Sequence, residues 1–200
     1  MPRPTAALAL LTAAGLVLAG CSAGTSTPGP STSTPSASAT VGAANQADIQ
    51  FAQMMIVHHQ GALDMARLAA DRAGAAEVKE LARRIENAQQ PEIETMTAWL
   101  QAWGAEPLDA DGVMPGMEHG SMTDTGEGGM ASSSQMAELE DAQGAEFDTL
   151  FLELMIVHHE GAIAMAQTEV DNGRNADALA LAHKVIVDQT AEVALMEALL

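Results

Sequence analysis

Cysteine is almost missing from this chain. Cys21 is the single one in 200 residues, so no disulfide can staple the fold, and a soft-metal site must be built from methionine and histidine instead of thiolate. Cations are scarce as well: 8 Lys and Arg stand against 27 Asp and Glu, for a net charge of -19. That balance argues against polyanionic nucleic acid as a partner. It raises the local concentration of cations, and serves equally well as a solubilising face. Large apolar residues are missing from Ser22 to about Asn45 apart from Val41, in a stretch of Ser, Thr, Pro, Gly and Ala. Nothing there can drive packing, so residues 21–45 read as a disordered tether.

Long apolar runs are missing too, with one exception at the N-terminus. Arg3 precedes an apolar run from Ala6 to Leu18, too short for a comfortable membrane span and suited to the core of a signal peptide, which places residues 1–20 in a leader. The run ends in Leu18-Ala19-Gly20-Cys21, which resembles a bacterial lipobox. The resemblance implies cleavage before Cys21 and a diacylglyceryl group on its sulfur. The expected location is the outer face of the cytoplasmic membrane, at the cell surface or in the periplasm.

What the chain does have is a repeat. Met55-Ile-Val-His-His59 returns unchanged as Met155 to His159, and at the same offset of 100 residues Phe51 pairs with Phe151, Gly61-Ala62 with Gly161-Ala162 and Met65-Ala66 with Met165-Ala166. Further along, Leu81-Ala82, Gln89, Glu92, Met96 and Leu100 meet their like at 181–182, 189, 192, 196 and 200. This is an internal duplication of about half a domain.

Apolar residues recur at helical spacing from Gln46 to about Ala73 and from Glu77 to Trp103, with Gly74 and Gly104 as stops. Pro91 predicts a kink in the second of these helices. Residues 105–134 break all periodicity. Gln135 to Asp171 and Asn175 to Leu200 then give two more helices, turning at Asn172-Gly173. The expected fold is all-α, a ferritin-like four-helix bundle over residues 46–200. Two duplicated hairpins, 46–104 and 135–200, are joined by a long crossover, and the repeated helices lie antiparallel about a pseudo-twofold axis.

On the first helix Phe51, Met55, His58, Ala62 and Met65 share one stripe, and the second copy repeats it with Phe151, Met155, His158, Ala162 and Met165. His58 and His158 should therefore face the interior, with His59 and His159 turned about 100° towards a neighbouring helix. Met55 stands one turn before both histidines of its copy and can share an ion with either. Met65 lies about 10 Å further along the axis and suits a second layer or the other repeat. A packed core would instead satisfy the imidazoles through Gln89, Glu92 and their counterparts, with methionine filling gaps. The same His-His pair in the same methionine setting in both halves favours metal, and His plus Met without Cys favours copper, Cu(I) ahead of Cu(II). In the crossover, Met114, Met117, His119 and Met122 are accessory ligand candidates or apolar plugs.

At these residues the chain resembles the domain of unknown function 305 family, whose motif Met-Ile-x-His-His-x-Gly-Ala-Ile-x-Met-Ala stands here as Met55–Ala66 and Met155–Ala166, with Leu63 in place of the first isoleucine. The resemblance spans about Asp48 to Leu200. It implies a ferritin-like fold and, from members of the CopM type, copper binding and copper tolerance outside the cytoplasm. The leading expectation is a lipid-anchored protein that sequesters copper or passes it on without turnover. The partners are the membrane, a metal ion, a copper acceptor and a second copy of the chain. One alternative is a ferritin-like di-metal oxidase, although neither copy has a glutamate three residues before its histidines. The other is a metal-free binding or sensing module with structural histidines.

Overall fold

The computed structural model describes residues 42–108 and 127–200. Helices α1 (Gln46–Arg72) and α2 (Ala76–Trp103) form one hairpin, and α4 (Ala145–Asn172) and α5 (Ala176–Leu199) form the other. A 3-10 turn at Glu127–Gly129 and a short helix α3 (Ser133–Asp141) stand between them in the chain. The expected leader, Cys21, and the methionines and histidine at 114, 117, 119 and 122 lie outside the described residues.

Helix α1 starts at a capping box: Asn45 accepts from the Asp48 N–H at 3.0 Å while the Asp48 carboxylate accepts from the Asn45 N–H at 2.5 Å. Helix α2 runs on through Pro91 and stops at Gly104, whose left-handed φ of 69° suits glycine. The tether expected over residues 21–45 ends earlier, because the chain is held from Gly42. Its carbonyl accepts from Trp103 Nε1 at 3.2 Å and Asn175 Nδ2 at 2.9 Å.

The hairpins meet through α1 and α4, which are antiparallel. Phe51, Ala52 and Met55 from the first half of α1 pack with Ala162 and Ala166 from the second half of α4. Met65, Ala66 and Ala69 from the other end of α1 pack with Phe147, Phe151 and Met155. Burying each such large side chain contributes about 1.5–3 kcal/mol. The two helices therefore cross at His58 and His158, and the pseudo-twofold axis expected from the repeat passes between them.

One expected helix is divided. The stretch predicted as a single helix from Gln135 to Asp171 stops at Asp141 and restarts at Ala145. Gly144 has φ 63° and ψ -136°, a conformation open to glycine at little cost, and its N–H donates to the Arg72 carbonyl at 2.8 Å. The break lets Asp148, in the first turn of α4, accept from the N–H groups of Gly74 at 3.0 Å and Ala75 at 2.8 Å at the start of α2. Asp48 does the same for α5, accepting from the Arg174 and Asn175 N–H groups at 2.9 Å each. Each inner helix thus ties down the turn that leads into the outer helix of the other hairpin, α5 keeping its own cap in Asn175.

Candidate metal centre

The four motif histidines are 0–3% exposed, and they divide as the helical wheel predicts. His58 and His158 face each other across the α1–α4 crossing, with ring centroids 3.7 Å apart and planes inclined by 36°. His59 turns to α2, its Nε2 2.8 Å from Glu92 Oε2, and His159 turns to α5, its Nε2 2.7 Å from Glu192 Oε2. The glutamates weighed as partners of the imidazoles are those of His59 and His159. The amides of Gln89 and Gln189 are not among the partners of any of the four rings, and Gln89 leaves both of its amide atoms without a partner.

All four imidazoles are held in the same sense. His58 Nε2 is 3.0 Å from the Gly128 carbonyl and His158 Nε2 is 2.9 Å from the His58 carbonyl, so each must be the donor. The carboxylates of Glu92 and Glu192 likewise call for an N–H from His59 and His159. Fixing the proton on Nε2 leaves a bare lone pair on Nδ1, and all four Nδ1 atoms are buried without a partner. An unmet acceptor in the interior costs about 1–3 kcal/mol, and four in one layer call for an explanation. A held Nε2–H with a free Nδ1 is the arrangement of a histidine prepared to bind metal.

The protonation states agree. Burial pushes the His58 pKa down to about 3, the neighbouring His59 and His159 add to the shift, and the Gly128 carbonyl opposes it. Burial and the three surrounding imidazoles hold His158 well below its ordinary value. Both are neutral and free to donate a lone pair. Burial raises the Glu92 carboxyl, yet hydrogen bonds from His59 and Lys184 outweigh it and keep the pKa below the ordinary value. The carboxylate is thus charged where it orients His59.

The methionines fit the same purpose. Met55 and Met155 are fully buried, one turn before their histidines, on the side towards which helical side chains lean. Neutral nitrogen and thioether sulfur make a soft donor set suited to Cu(I). Among the described residues no group of three or more His, Cys, Asp or Glu converges as a metal site. Any ion here would rest on few ligands, with methionine among them.

The family model for the domain of unknown function DUF305 matches residues 48–200. The chain belongs to the DUF305 family. A DUF305 fragment from Deinococcus radiodurans is similar at 32% identity and a TM-score of 0.68, over 79% of this chain and 97% of that one. A DUF305 protein from Streptomyces coelicolor, described as secreted, matches at 32% identity and a TM-score of 0.67, over 77% and 91%. CopM in its Cu(II)-bound form matches at 34% identity and a TM-score of 0.63, over 75% and 93%; its Cu(I)-bound form matches at 31% and 0.57, over 75% and 92%. No curated protein sequence matches.

Within this DUF305 chain the remaining candidates separate. Met65 is buried and reaches the other repeat, lining a cavity with His158. Its counterpart Met165 is half-buried and lines a pocket with Met54 and Glu169 at the far end of α4. Gly61 and Gly161 let neighbouring groups approach the helices closely. A Cβ on Gly61 would lie 2.9 Å from Met130 Cε and 3.4 Å from His158 Nε2, and one on Gly161 would collide with the Gly128 carbonyl. The parts played by Gly128 and Met130 could not be read from the repeat, because the crossover has no second copy. Asp48 and Asp148 could have been: they too stand 100 residues apart.

Proposed function

We propose that this DUF305 protein binds copper, as Cu(I) in preference to Cu(II), through the buried imidazoles and Met55 and Met155, and that it buffers the ion or hands it to an acceptor outside the cytoplasmic membrane. The observation that carries the proposal is the set of four buried Nδ1 lone pairs, each opposite an Nε2 that the fold already holds. Similarity to CopM, solved with Cu(I), Cu(II) and silver, supports a metal ligand of this class. The primary ligands are His58 and His158 with Met55 and Met155, while His59 and His159, turned towards Glu92 and Glu192, and Met65 and Met165 are secondary ligands. Met114, Met117, His119 and Met122 supply accessory capture. Lipidation at Cys21 would tether the bundle to the membrane, in keeping with a similar protein described as secreted.

A di-metal oxidase is the less favoured function, since Glu92 and Glu192, the carboxylates best placed to bridge metals, are engaged by His59 and His159. Anaerobic titration with Cu(I), and a parallel titration with Cu(II), should give saturable binding that is lost when His58, His59, His158 and His159 are changed to Ala in a variant that keeps its helical circular dichroism. Unchanged affinity in that variant would sink the core site. Loss only on Met114, Met117 and Met122 substitution would move the site to the crossover, and oxygen consumption coupled to Fe(II) oxidation would restore the oxidase.

A further inference from the structure

A cavity of about 660 Å³ lies between α1 and α3, and His158 is the one motif imidazole that lines it. Its wall carries three thioethers, those of Met65, Met130 and Met136, and two exposed carboxylates, Asp64 and Glu140. The sulfurs are graded by depth: Met130 and Met136 are half-buried, whereas Met65 is 1% exposed.

At its inner end, Met130 Sδ lies 3.5 Å and the Nε2–H edge of His158 3.4 Å from the point that a Gly61 Cβ would occupy, so the missing side chain lets the thioether approach the ring whose Nε2 is held by the His58 carbonyl. The pseudo-twofold is broken here. The matching niche at Gly161 is filled by the Gly128 carbonyl, which accepts from His58. One side of the histidine pair is thus sealed by backbone, and the other meets a thioether-lined cavity.

We propose that this cavity is the loading port for a soft monovalent cation, Cu(I) or Ag(I), with Met136 and Met130 as transfer ligands that pass the ion inward to His158. The proposal rests on the core site described above. The exposed Glu140 carboxylate draws the cation to the mouth, Asp64 being paired with Arg67 at 3.3 Å, and weak thioether ligands hold it without trapping it. Each step exchanges one neutral ligand for another, so no electron moves and the ion keeps its charge. Met136 and Met130 offer two thioether steps, and the ion leaves them for the stronger imidazole of His158 once the ring turns its free Nδ1 towards the cavity, releasing the Nε2–H bond to the His58 carbonyl.

The test follows Cu(I) transfer by stopped flow, anaerobically, from its bicinchoninate complex to the full chain. Three proteins are compared: wild type, the double variant Met130→Leu with Met136→Leu, and Met54→Leu as a control in the separate pocket lined by Met165 and Glu169. Leucine keeps the apolar volume and removes the sulfur, so folding should survive. Loading of the double variant should slow about tenfold, within the range that loss of one supporting group costs a metal site. Its final stoichiometry and affinity should equal those of wild type, and Met54→Leu should load normally. An unchanged rate in the double variant, or equal slowing in the control, overturns the port and leaves the core site standing. Lost equilibrium affinity with an unchanged rate also overturns it, since Met130 would then be a resident ligand. If the four-histidine variant binds Cu(I) like wild type, the core site fails and the port fails with it.

Discussion

Glu169 shows how a single buried group can tie this fold to pH. It is 1% exposed, no donor faces either carboxyl oxygen, and it lies beside Asp48. Burial, with Asp48 adding to it, pushes its pKa up to about 8. Burial also acts to raise Asp48, but the backbone N–H groups of Asn45, Asn175 and Arg174 outweigh it, so Asp48 holds the charge and a protonated Glu169 can donate to it. Because the folded pKa lies above the ordinary 4.5, the stabilisation is complete below about pH 4.5 and drains away as pH rises towards 8. Urea midpoints measured from pH 5 to 8 should fall for wild type relative to Glu169→Gln, whose amide cannot ionise. Parallel curves for the two proteins would show that Glu169 is not protonated in the folded state. Gly173 belongs to the same corner. Its φ is -68°, so the glycine is needed for space beside Glu169 and not for a left-handed turn.

At the scale of the element, the reciprocal ties matter more than any single helix propensity. Helix α2 has no side-chain cap of its own, since its N-cap is Ala75, and Asp148 from α4 instead holds the turn that leads into it by accepting from the Gly74 and Ala75 N–H groups. Asp148→Ala should therefore cost about 0.5–1.5 kcal/mol for each of the two hydrogen bonds lost. Because the contact also joins two hairpins, the loss should appear as faster amide exchange both at the start of α2 and in the first turn of α4, measured residue by residue. Exchange confined to α4 would mean that α2 holds its own end. The break at Gly144 serves this contact. A helix continuous through 142–144 would carry the segment before Asp148 on into the space of the α1–α2 turn, where Gly74 already packs against Gly144.

For the whole molecule, the site is the seam between hairpins. His58 and His158 come from different halves, while Glu92 and Glu192 steady their neighbours from the outer helices. An ion bound there favours only the state in which the hairpins are docked, and the gain follows the ligand excess, about 2.7 kcal/mol at a hundredfold excess over Kd. Ag(I) or anaerobic Cu(I) should accordingly raise the melting temperature of the bundle in a concentration-dependent manner, as differential scanning calorimetry can record. The four-histidine variant should show no such rise. A shift of equal size in that variant would place the stabilising ion elsewhere.

By itself the sequence determined the class, the hairpins and the burial of the histidines, because these follow from local periodicity. A stripe at 51, 55, 58, 62 and 65 has one helical face to occupy, and a repeat at a constant offset compels the second half to do the same. It also limited the chemistry, since a single cysteine leaves nitrogen and thioether as the soft donors. Only the tertiary structure decided which nitrogen is free, as Glu92, Glu192, the His58 carbonyl and the Gly128 carbonyl approach from other elements and fix the proton on Nε2. The division of the predicted helix at 142–144 was likewise invisible, because the apolar spacing of Met136, Leu139 and Ala142 continues up to a glycine whose conformation is set by its contact with Arg72. Asymmetry was hidden for a related reason. The copies are alike, but one crossover must cover both, and it seals the Gly161 side with a carbonyl while leaving Met130 and open space at Gly61.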